Sequence, residues 1–253
     1  SYLTEKAPRN LQGIIMPFPS TMLVGFFFVA YINGIETLIE SIPRVGYSLM
    51  GSMVYALIFF FSALALEKFQ LPLISNIFLT WLFSTLGWMI FPILSQSFPT
   101  PQIWFSFVVL TLVILLVQPL FLKISDTFPS DVKIQKITPP ELIFRMIFAG
   151  VIIGLVVIVS KMTGSLWGTI IASSYPASFG SQFMIFQKKY PANFIASAIR
   201  TIPLGLFPLI TYALTVVFVY PIFGIWIGTA IALSTSLTVA YIVSLISQKI
   251  LHK

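Results

Sequence analysis

Two proline-interrupted apolar segments carry the polar groups best placed to do chemistry. The first reads Phe18-Pro19-Ser20-Thr21, and the second reads Tyr175-Pro176-Ala177-Ser178. A proline inside a helix has no N–H to give, and its ring clashes with the carbonyl one turn back. Each segment therefore offers released carbonyls beside hydroxyls. Ser20 and Thr21 supply the hydroxyls in one, and Ser174, Tyr175 and Ser178 in the other. Such a set suits a small polar substrate or an ion. One break of this kind is explained plainly enough by packing, since proline is frequent in membrane helices. Interrupted spans at matching places in two halves are instead a pointer to a transporter site.

The matching extends along both halves. Leu11-Gln12-Gly13 corresponds to Leu166-Trp167-Gly168, and Ile39-Glu40-Ser41 to Ile195-Ala196-Ser197. Arg44 and Arg200 each follow five residues after the isoleucine. A guanidinium within an apolar span is costly unless it snorkels or binds an anion. The two arginines are thus read either as interfacial anchors or as forks for an anionic group. Glu36, Glu40 and Arg44 follow at i,i+4 spacing, which puts them on one helix face. Glu40 is the candidate for proton coupling, with Arg44 as partner; a solvated interfacial pair is the competing reading. Glu141 reads as a solvated residue of a connecting link. Gln182, six residues past Pro176, reads either as a lining group of the same cavity or as an interhelical hydrogen-bonding group, the usual role of a polar residue in a span.

What must position these residues is a membrane fold. The chain has 253 residues, of which 58% are hydrophobic and 8% charged, and its mean hydropathy is +1.00. Soluble domains carry about 25% charged residues. Eight apolar stretches have helical length: about 13–34, 43–66, 72–94, 102–122, 141–162, 166–187, 192–220 and 222–248. About 20 such residues cross a bilayer. The very short link Tyr220-Pro221-Ile222 is expected to turn the last two spans antiparallel. The polar opening, residues 1–10, shows no signal-peptide pattern.

Net charge is +7. Alternating the compartments puts eleven of the fourteen basic residues on one side, so both termini are expected in the cytoplasm. The basic excess marks that side, and nucleic acid is not an expected partner. There is no cysteine, and the single histidine is His252. Thiol chemistry and a histidine metal site are excluded, and neither a metal nor any other cofactor is expected. Without a base beside a serine, no enzyme is expected either.

Parity completes the expected fold. The two matched units start at spans 1 and 6, and so cross in opposite senses, as inverted repeats do. The fold class is an all-α membrane protein of about eight helices in two inverted-topology four-helix repeats. Residues 1–124 form the first, permuted so that spans 1-2-3-4 match 6-7-8-5. Residues 125–140 form a cytoplasmic linker, and 141–253 the second repeat.

The stretch Gly13-Ile14-Ile15-Met16-Pro17-Phe18-Pro19-Ser20-Thr21, followed by Gly34-Ile35-Glu36, resembles the GlpM family of small four-span bacterial inner-membrane proteins. The region from Gly168 to Ser178, and on to Arg200 and Pro208, resembles related four-span families. The resemblance implies a bacterial inner-membrane address and a dual-topology history, and no reaction. The functional expectation is a secondary carrier with its site between spans 1 and 6, for a small or lipid-linked anion. A non-transporting subunit, partnered by another protein or by a second copy, is the alternative.

Overall fold

The computed structural model describes residues 20–97, 100, 102–125 and 138–251. Its elements are helical. They are α1 (Ser20–Asn33), α2 (Ile35–Ser41), a 3-10 turn (Ile42–Arg44), α3 (Val45–Glu67), α4 (Leu73–Ser97) and α5 (Ile103–Ser125). There follow α6 (Pro139–Thr163), α7 (Ser165–Ser174), α8 (Ala177–Lys189), α9 (Phe194–Ile199) and α10 (Ile202–Leu251). Long apolar runs leave the backbone no partner but itself in lipid, which makes the helix the stable choice.

Five stretches are long and apolar enough to cross a membrane: Ile35–Glu67, Leu73–Ser97, Ile103–Ile124, Pro139–Thr163 and Ile202–Ser247. The chain is therefore an integral membrane protein in contact with the bilayer. The expected eight stretches differ from these five for physical reasons. The expected first stretch begins outside the described residues, and its described part, α1, has 14 residues. The sixth is divided at Pro176 into α7 and α8. The last two form the single run of α10. A straight 46-residue helix would be about 69 Å long, over twice the hydrocarbon thickness. It folds back instead. Gly224 has φ 71° and ψ 177°. Ser236 Oγ donates to Pro208 O at 2.8 Å, and Tyr220 and Thr229 share a hydroxyl contact at 2.8 Å. The reversal expected at 220–222 thus lies at Gly224, and Pro221 stays inside the helix. The positive φ explains the shift, because only glycine adopts it without strain.

Gly164, at φ 83°, makes a similar reversal between α6 and α7. Beyond it, α1 packs against both α6 and α7. Asn33 Nδ2 donates to Ser160 Oγ at 2.5 Å. A Cβ on Gly25 would lie 2.3 Å from Ala172 Cβ, and one on Gly168 would lie 3.2 Å from Val29. Contacts that run 25 to 172 and 29 to 168 make α1 and α7 antiparallel. Small residues four apart on α7 admit the close approach, as is usual between membrane helices. By contrast, Ser41 meets Ser165, Ser52 meets Ser174, and Phe59 meets Phe183. The run from α2 through α3 therefore lies parallel to α7 and α8 along its length. Residues before and after the expected linker share one packed interior.

Candidate functional site

The site is built around the end of one helix and the start of the next. α7 stops at Ser174, where Tyr175 turns extended (φ −69°, ψ 125°). Pro176 follows at φ −82°, ψ 54°, and the Ala177 N–H donates to Tyr175 O at 2.9 Å. This is an inverse γ-turn. Its consequence is local and specific. Pro176 has no N–H for Ala172 O, and Ala177 no longer serves Ser173 O. Two carbonyls lose their helical donors in the interior of the bundle.

Neighbouring helices fasten the break. Ser52 of α3 donates its hydroxyl to Ser174 O at 2.5 Å. Ser174 Oγ donates to Ile170 O at 2.8 Å and accepts from Trp88 Nε1 at 3.3 Å. Tyr175 Oη accepts from Trp81 Nε1 at 2.9 Å and lies 3.4 Å from Thr85 Oγ1. The Trp88 ring meets the Tyr175 ring edge-on at 5.0 Å. Trp81 and Trp88 are two turns apart on α4, so both indoles reach the same break.

The break opens on a cavity of about 20 Å³. Thr21 and Met22 of α1, Ser52 of α3 and Leu209 of α10 line it, together with residues 172–179. It has room for one water molecule or a small cation. Five of the residues singled out from sequence converge here: Thr21, Ser174, Tyr175, Pro176 and Ser178. Ser20 begins α1 and is exposed. Pro19 and the rest of the first proline segment lie outside the described residues.

The charged candidates sit elsewhere. Arg44 donates from Nε to Ser95 O at 3.4 Å, at the far end of α4. The backbone carbonyl of Arg200 accepts from Gln118 Nε2 at 2.9 Å, on α5. Neither lines the cavity. Glu40 is exposed and lines no part of the cavity. Gln182 lines no part of this cavity. Its carbonyl accepts from Arg145 Nη1 at 2.5 Å, within the α6–α8 contact.

Glu141 corrects the expectation of a solvated link residue. It is 7% exposed and bonds Lys189 Nζ at 2.6 Å. It also accepts from the Thr138 N–H at 2.8 Å in a capping box. The pattern Thr138-x-x-Glu141 before an apolar run was the readable signal. Gln187 of α8 donates to Asn76 and Thr80 of α4, both at 3.1 Å. Among the described residues no three His, Cys, Asp or Glu side chains gather into a metal-binding group.

No protein-family model matches the chain, and no curated protein or solved structure matches it.

Proposed function

We propose that the chain is a secondary carrier whose substrate or coupling ion binds at the Tyr175–Pro176 break. The observation that carries the reading is the interrupted helix itself. Ala172 and Ser173, whose carbonyls lack helical donors, line one small cavity together with Thr21 of α1 and Ser178 of α8. Irregular backbone at membrane depth survives only when it is buried in protein or lines a cavity. The antiparallel packing of α1 against α7 supports the inverted-repeat reading. The reversals at Gly164 and Gly224 support eight crossings, and the one-sided basic excess in the sequence supports both termini in the cytoplasm. The resemblance to GlpM-like proteins supports an inner-membrane address. No catalytic step is part of this reading.

The cavity is too small for an organic cargo, so the conformation is read as an occluded one that must open. Arg44 and Arg200 flank the break at different ends of the bundle. An anion preference then requires one of them to move toward Ser178 on opening. The same small volume favours the second reading, an integral subunit that moves nothing.

The cysteine-free sequence gives a direct test. A single Ser178→Cys, in sealed vesicles of either orientation, is exposed to a membrane-impermeant maleimide. A carrier alternates, so label enters from both faces. A static subunit admits it from neither. Stoichiometric co-purification of another protein would favour the subunit.

A further inference from the structure

A second, larger recess lies on the other side of Trp81. It measures about 560 Å³, within the range of about 300–1,000 Å³ usual for ligand sites. α4 contributes Ile74, Phe78 and Trp81, α6 contributes Phe144 and Phe148, and α8 contributes Met184. Ile74 is 83% exposed and Phe78 54%, so the recess opens sideways into the lipid rather than into water. Its polar groups gather at one end: Thr138, Glu141 and Lys188.

We propose that this recess holds one acyl chain of an anionic phospholipid, with its phosphate at Lys188. Length selects a lipid over a partner helix. From Pro140 to Phe148 the α6 wall rises about 12 Å, less than half of a hydrocarbon core of about 30 Å. At its inner end Trp81 is tied to Tyr175. A crossing helix needs a groove along the whole membrane, whereas a lipid tail needs one leaflet. Charge selects the headgroup. Lys189 already bonds Glu141 at 2.6 Å, so Glu141 is occupied within the protein. Lys188 is exposed at the mouth. One lysine near an anionic surface contributes about 1 kcal/mol, a preference of about fivefold.

This inference does not depend on transport. The intact chain, purified in detergent, is given equal amounts of phosphatidylglycerol and phosphatidylcholine. Bound lipid is counted by native mass spectrometry, and the thermal midpoint is followed in parallel. The wild type is expected to retain phosphatidylglycerol about fivefold over phosphatidylcholine and to melt higher with it. Lys188→Gln, at an exposed position, is expected to bring the two lipids to parity. Phe144→Trp, which fills the recess from its rim, is expected to release both. Equal retention by the wild type, retention of neither lipid, or a preference that survives Lys188→Gln would overturn the proposal. If Phe144→Trp does not fold, the Lys188→Gln comparison decides alone. Failure of maleimide labelling at Ser178 would sink the carrier reading and leave this result untouched.

Discussion

Trp81 donates its indole N–H to the Tyr175 hydroxyl at 2.9 Å, and this pair forms the wall between two cavities. Tyr175 faces the small cavity at the helix break, and Trp81 faces the large lateral recess. Whatever moves one ring is felt on the other side. Tyr175→Phe removes the acceptor and leaves a partly buried N–H to find another. The expected loss is about 1–3 kcal/mol of unfolding free energy. Trp81→Phe in the same background should add little. A double-mutant cycle with coupling near zero would show that the bond does not tie α4 to the break.

Pro176 keeps α7 and α8 apart. Pro176→Ala restores an N–H opposite Ala172 O and removes the ring clash. A proline inside a helix costs about 3 kcal/mol, so the substitution should favour a continuous helix by a similar amount. Amide exchange at Ala177 and Ser178 should slow. Unchanged exchange would mean that the contacts of Ser52, Trp81 and Trp88, and not the proline, set the break.

At Gly25, α1 makes a close approach to the break-bearing helix. A Cβ there would sit 2.3 Å from Ala172 Cβ and 3.3 Å from Ala172 Cα, so the α7 backbone must yield. Gly25→Ala should cost about 1–3 kcal/mol through overpacking. Adding Ala172→Gly should recover most of it. A melt showing full stability for Gly25→Ala alone would contradict the packing of α1 on α7.

The proline break and its serines were legible in the sequence because proline acts locally, through a missing donor and a fixed φ. Thr21 stands out in the sequence as a hydroxyl two residues after a proline, and it lines the same small cavity. The same local logic failed where tertiary partners decide. Trp81 and Trp88 read as ordinary apolar residues of a span. Their indole donors acquire meaning only when α4 lies beside Tyr175. At Glu141 the capping role was readable from Thr138-x-x-Glu141, but the ion pair with Lys189 was not, because that partner comes from another helix. The last reversal was misplaced to Pro221. The proline is tolerated inside a membrane helix, whereas the positive φ is reserved for Gly224.

The Glu141–Lys189 pair joins α6 to α8 at the end away from the break. Removing one partner leaves a charge-assisted bond unmade at the end of the bundle, at a cost of about 1–3 kcal/mol. Glu141→Gln should lower the thermal midpoint accordingly, and Lys189→Met in the same chain should restore part of it. If the double variant melts no higher than Glu141→Gln alone, the pair is not what holds the two helices.

The central claim is that the Tyr175–Pro176 break is the moving, binding part of a carrier. The most direct measurement is maleimide labelling of Ser178→Cys in sealed vesicles of defined orientation, with Lys188→Cys as the one-sided control. The account predicts label at residue 178 from both faces, and label at residue 188 from one face only. It also predicts that Pro176→Ala slows labelling at residue 178. Protection of residue 178 from both faces, with the control labelled normally, would contradict it and leave a static membrane subunit.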